Sequence, residues 1–140
     1  MSIDADIAAF VAAHAEAWSS GDVDAIADVM GLPQMLARSD GSTFIEEDAE
    51  LVAWIDGRLA EWEAHGITKV TATVDKVEPL PDDAARVTTT WRLSNDSGRD
   101  VVSFAATDTL VSDDGDWSFV VTDLAGEEAA WASVESRGPN

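Results

Sequence analysis

The hydrophobic pattern of this 140-residue chain changes period once, near residue 67, and nothing else in the sequence limits the fold as much. Before that point apolar residues recur at three- and four-residue steps, the spacing of one helix face. After it, Val- and Thr-rich segments alternate residue by residue, as half-buried strands do. Ile3, Ile7, Phe10, Val11, His14 and Trp18 share one face of a helix expected over Ser2–Ser20, with alanines filling much of the rest. In "SSGDVDAI", Gly21 can take the left-handed conformation that closes this helix, and Asp22 can cap the next with its carboxylate. Val23, Ile26, Val29 and Met30 form the apolar face of a short second helix that Gly31 ends. Extended segments Pro33–Ser39 and Thr43–Ile45 flank the turn "SDGS". Glu46, Glu47, Asp48 and Glu50 crowd the start of a third helix, where negative charge suits the helix dipole. Leu51, Val52, Ile55, Leu59 and Trp62 are its inward stripe, with His65 in the last turn and Gly66 at its end.

Four strands follow, joined by the turns "PDDA", "NDSG" and "DDGD", which predicts an antiparallel meander. A last segment, "GEEAAWASVES", reads as one or two helical turns carrying Trp131. The expected architecture is a single α+β domain over 1–140, with a core of about residues 3–124 and a tail over 125–140. Three helices cover one face of a curved, mainly antiparallel sheet of four to six strands. Such a packing closes at one end and leaves a pocket at the other.

Charge narrows the partners. Against 28 acidic residues stand eight basic ones, a formal net charge of −20. A chain so charged repels nucleic acid and anionic membranes, so neither is expected as a partner. The acids are scattered, as on a solvated surface, and would also suit a high-salt source where counterions screen self-repulsion. No apolar run approaches the roughly 18 residues of a membrane span. The opening "MSIDADIAAF" lacks the basic start of a secretory signal, which makes the cytoplasm the expected compartment. The absence of Cys excludes disulfides and thiolate chemistry. His14 and His65 fall on different helices and the acid clusters lack calcium-loop spacing, so neither a metal nor a cofactor is expected.

"FVAAHAEAWSSGDVDAIADVM" resembles the entry of nuclear transport factor 2-like domains, a superfamily that includes SnoaL-like polyketide cyclases and ketosteroid isomerases. The shared order is an aromatic-bearing first helix, a Gly-Asp corner, a short second helix and an Asp-Gly hairpin. A third helix and four antiparallel strands complete it, the last led by Trp in "DDGDWSFVV"; the match runs over roughly residues 3–124. The resemblance implies a cystatin-like cone with an apolar pocket between helices and sheet, and a homodimer formed through the sheet. It does not name a chemistry, because one scaffold hosts isomerases, cyclases, dehydratases and non-catalytic modules.

Two polar residues face the presumed pocket. His14 lies between Phe10 and Trp18 on the buried stripe of helix one; the resemblance gives it the place of the isomerases' oxyanion-hole tyrosine. Asp108 alternates with Phe104, Ala106 and Leu110 on one strand face, and falls near the second oxyanion-hole acid. An inward His14–Asp108 pair is the candidate catalytic site, suited to hydrogen bonding a ligand oxygen or to acid–base work. His14 also reads as a core histidine satisfied by a backbone carbonyl or a neighbouring carboxylate, and Asp108 as a strand-edge residue bonded to a backbone amide or to Arg92. Trp18, Trp91 and Phe104 are the expected lining, and Asp123 stands either at the pocket mouth or on the surface. The isomerases' general base is missing: Arg38 occupies the nearest ungapped position and cannot abstract a proton at neutral pH, while Asp40 fits only after a two-residue shift. Steroid isomerisation is therefore not expected. Arg38 reads as a carboxylate or carbonyl ligand, or as half of a surface ion pair. Two functions remain: a binder of a small apolar organic molecule acting as a cofactor-free isomerase, cyclase or dehydratase, and a non-catalytic ligand-binding or dimerisation module. An open cavity touching both His14 and Asp108 favours the first; a filled one favours the second.

Overall fold

A computed structural model describes residues 3–136. Helix α1 spans Ile3–Ser20 and buries Ile7, Val11, His14 and Trp18 as its spacing requires; the expected start at Ser2 lies outside the described residues. Gly21 takes φ +70° at the corner, and the Asp22 carboxylate accepts from the Ala25 N–H at 3.2 Å, capping α2 (Val23–Asp28). This helix is shorter than its apolar spacing predicts. The Val29 carbonyl accepts from the Phe119 N–H at 2.8 Å and Met30 pairs with Phe119, so the last strand captures the chain before another helical turn forms.

Strands β1 (Met30–Arg38) and β2 (Gly41–Ile45) form the hairpin around "SDGS". Helix α3 (Asp48–Ala64) buries Leu51, Ile55 and Trp62. The meander then runs through β3 (Lys69–Leu80), β4 (Ala84–Ser94), β5 (Asp100–Asp113) and β6 (Asp116–Asp123). The six strands lie in the order β2-β1-β6-β5-β4-β3, with β1 parallel to β6 and every other neighbour antiparallel. The parallel junction is irregular between Met30 and Met35. Fully buried Gln34 fills that irregularity: its amide donates to the carbonyls of Gly31 (2.9 Å) and Phe119 (2.8 Å) and accepts from the Thr122 hydroxyl (2.9 Å). The core lies between the helices and the concave face, where Val87, Leu93, Val102 and Leu110 point inward. Among the described residues no helix is long and apolar enough to cross a membrane.

The C-terminal segment corrects the expectation most. Residues Ala125–Ser136 form α4, three turns rather than one or two, and α4 belongs to the fold rather than to a tail. Glu127 and Trp131 are buried. Gly126 lets the helix lie directly on β5: a β-carbon there would sit 2.3 Å from the Ala105 carbonyl oxygen, so only glycine permits the approach. Binary patterning underestimated α4 because a buried charged residue and a close backbone contact anchor it, with Ala130, Trp131 and Val134 its apolar contacts to the core.

Candidate functional site

The corner at Gly21–Asp22 fixes the register of α1, and that register turns His14 into the cone. Its ring lies 4.5 Å from that of Phe119 and 6.3 Å from that of Trp91, and is 7% exposed. Nε2 accepts from the Trp18 indole N–H at 3.0 Å. Burial, reinforced by the nearby charge of Arg58, pushes the His14 pKa down to about 3, so the imidazole is neutral at physiological pH. With Nε2 occupied as an acceptor, the ring proton belongs on Nδ1. That Nδ1 is buried and has no hydrogen-bond partner among the described residues.

Asp108 points inward from β5 as the alternation requires, 4% exposed. One carboxylate oxygen accepts from the Asp123 N–H at 2.8 Å. Burial pushes its pKa up to about 7; the amide of Asp123 and the charge of Arg58 pull downward, while the carboxylate of Asp123 adds to the rise. Asp123 itself accepts from the N–H groups of Thr107 (2.9 Å) and Ala125 (3.2 Å). Arg92 does not reach Asp108; it pairs with Asp100 at 3.8 Å.

His14, Trp18, Trp91, Asp108 and Asp123 line one chamber, together with Arg58. The space that touches both His14 and Asp108 is not an open pocket; a cavity of about 370 Å³ opens instead where α1, α3 and β3 meet, lined by Trp18, Leu59, Trp62 and Val70. The chamber measures about 20 Å³, room for one water-sized group. Aromatic side chains and Arg58 fill the remaining space. Phe104, expected as lining, is instead a buried residue beneath Gly126 of α4. Arg38 lies outside the chamber as well, 3.6 Å from Glu128, the surface-pair alternative.

The residue that the sequence reading passed over is Arg58. Its guanidinium carbon sits 4.8 Å from the ring centre of Trp18, 5.2 Å from Trp54 and 4.7 Å from Trp62. It also donates to and pairs with Glu127. The second Glu127 oxygen accepts from the indole N–H groups of Trp62 (2.8 Å) and Trp131 (3.0 Å). Burial alone would raise the Glu127 pKa; the charge of Arg58 and donations from Arg58, Trp62 and Trp131 outweigh it and hold the carboxyl below its ordinary value. The signal was present as Trp54, Arg58 and Trp62, spaced four residues apart on one helix, which sets a cation between two indoles. Beyond Arg58, away from the chamber, opens a groove of about 460 Å³ between α3 and α4. His65 joins the same helices from the side, its ring 4.3 Å from that of Trp131.

Comparison with known proteins agrees with the fold. The family model described as NTF2-like protein (DUF6841) matches residues 4–126. No curated protein matches the sequence. Among solved structures, an NTF-2 like protein of unknown function from Shewanella oneidensis MR-1 is 22% identical, with 86% of this chain and 96% of that one covered and a TM-score of 0.66. Aln2 from a Streptomyces species is 14% identical, covering 95% and 98%, with a TM-score of 0.70. ActVI-ORFA from Streptomyces coelicolor is 13% identical, covering 87% and 95%, with a TM-score of 0.65. At these identities the likeness is one of fold.

Proposed function

This chain belongs to the NTF2-like family whose model spans residues 4–126, and on that premise we propose that it binds a small, largely apolar organic molecule by an oxygen atom held between His14 and Asp108. The observation that carries the reading is the unpartnered Nδ1 of His14, buried in the chamber that Asp108 also lines. A buried N–H without an acceptor is costly, and is rare outside sites that receive one. Neutral His14 donates through Nδ1. Asp108, protonated over much of the range below about pH 7, donates through the oxygen that does not face the Asp123 amide. Two neutral donors lining one water-sized space suit a carbonyl or phenolic oxygen, whose binding adds no charge to a buried chamber. The apolar body of the ligand enters only if Arg58 and its neighbouring indoles move, since the chamber holds one oxygen and no more.

A second reading makes the site catalytic. Asp108, whose pKa burial pushes up to about 7, is suited to carry a proton in an isomerisation, cyclisation or dehydration. The small chamber favours binding without catalysis. The test is calorimetric titration with 2-naphthol. Saturable binding is expected, weakened roughly tenfold or more in His14→Phe and in Asp108→Leu variants that keep a native near-UV dichroism spectrum. Naphthol that binds both folded variants as it binds the wild type overturns the reading, and so does an absence of saturable binding.

A further inference from the structure

The groove outside Arg58 has a chemistry of its own. Two of the eight basic residues line it, Arg38 and Arg58, in a chain whose net charge is −20. Each is held by one of two successive residues at the start of α4: Arg58 by Glu127, Arg38 by Glu128. Glu128 also accepts from the Ser39 N–H (3.0 Å) and hydroxyl (3.2 Å), so it is tied to the end of β1 by more than Arg38. Glu127 differs. Its surroundings offer a guanidinium and two indole N–H groups to its two oxygens. Those donors are packed among aromatic rings: Trp18, Trp54 and Trp62 stack around Arg58, and Trp131 is buried.

We propose that this cluster is a binding site for a small organic acid, in which the ligand's carboxylate takes the place of Glu127 on Arg58 and its flat apolar body lies in the groove along Trp54. Arg58 is the specificity residue, and Glu127 is an occupant carried on the chain itself. The exchange is nearly balanced. One carboxylate replaces another on the same donors, so Arg58 is never left as an uncompensated buried charge. The displaced Glu127 recovers water. Room for the ligand body exists already: the groove volume of about 460 Å³ is that of a small-molecule pocket, and exposed Ala53 and Gly57, one turn apart on α3, leave its wall low. Exposed Glu61 at the groove lining disfavours a second negative charge on the ligand, which points to a monoacid. The site lies on the far side of Arg58 from His14 and Asp108 and stands whether or not the inner chamber takes a ligand.

The experiment compares 2-naphthoate with its neutral counterpart 2-naphthalenemethanol by calorimetric titration of the full chain, at about 0.15 M salt to screen the protein's overall charge. Wild type is expected to bind the acid roughly tenfold or more tightly than the alcohol. Glu127→Gln, which keeps acceptors for the indoles but removes the competing charge, should tighten the acid by a further factor of roughly ten and leave the alcohol unchanged. Arg58→Met should abolish the preference. Equal affinity for acid and alcohol in wild type overturns the proposal without need of any variant. Binding of the acid to folded Glu127→Gln alone overturns it too, since Glu127 would then be a permanent structural partner.

Discussion

The inner chamber and the outer groove lie on opposite sides of one guanidinium, and they meet the cost of burial in opposite ways. On the inner side, His14 and Asp108 are shifted until the neutral forms prevail: the histidine pKa falls to about 3 and the aspartic acid rises to about 7. On the outer side, Arg58 and Glu127 stay charged because they are paired and every oxygen of the carboxylate has a donor. Arg58 lines both spaces, yet its charge is committed to Glu127. Burial keeps the Asp108 pKa high against the downward pull of Arg58. The chamber and the groove share only one side chain.

The largest effect should come from removing the groove's anion. Glu127→Ala strands Arg58 without a counter-charge and leaves the indole N–H groups of Trp62 and Trp131 without an acceptor. Breaking a buried pair from one side costs about 3–5 kcal/mol, read as a fall in the denaturation midpoint. A loss below about 1 kcal/mol would place Arg58 in the class of exposed pairs and dissolve the contrast between the two regions.

The chamber's contribution appears as a pH dependence. A folded-state pKa raised from 3.8 to about 7 means that Asp108 holds its proton more tightly in the native chain than in the unfolded one. Native stability from this group is complete below about pH 4, falls as pH rises, and levels off above about pH 7. Asp108→Asn lacks that loss, so the variant should gain on wild type steadily between those limits, by at most about 4 kcal/mol. His14 acts in the other direction: its depressed pKa costs stability as pH falls from 6.5 towards 3, but equally in both proteins, so the difference isolates Asp108. Urea denaturation at a series of pH values measures it. A constant difference would mean that Asp108 is ionised throughout and paired. In the Glu127→Ala background the window should move to lower pH, because the freed charge of Arg58 then pulls more strongly on Asp108.

How much of this was legible follows from which interactions are local. Period, corner and turns are set by neighbours in sequence, and they placed α1, α3 and the four-strand meander close to where they are. The alternation through Phe104, Ala106, Asp108 and Leu110 put the acid on the inner face correctly, and helix spacing did the same for His14 and Trp18. What failed depended on contacts between distant segments. Whether the cone is open is decided by how far Arg58 reaches across from α3, and no periodicity reports that. Phe104 was expected in the pocket because its face was known but its height along the cone was not; α4 covers it. The segment "GEEAAWASVES" looked weak as a helix because its anchor is the Glu127 carboxylate inserted among Arg58, Trp62 and Trp131, a contact spanning 69 residues to Arg58. The Arg38 alternatives were separated only when Glu128 arrived from that same helix.

The smallest expected effect sharpens the comparison by belonging to neither region. Asp22→Ala removes one exposed capping bond, to the Ala25 N–H at 3.2 Å, and should cost about 1 kcal/mol by denaturant titration. The corner turns the chain through Gly21, whose φ of +70° does not depend on the Asp22 side chain, so the register of α1 should survive. His14 would then still face Asp108, and Trp18 would still cover Arg58. The measurable outcome is a stability loss with unchanged 2-naphthol and 2-naphthoate affinities. If either affinity falls roughly tenfold while the fold persists, the corner does more than turn the chain. It would be holding α1 in a position that packing alone does not fix, and the separation of chamber from groove would depend on a cap far from both.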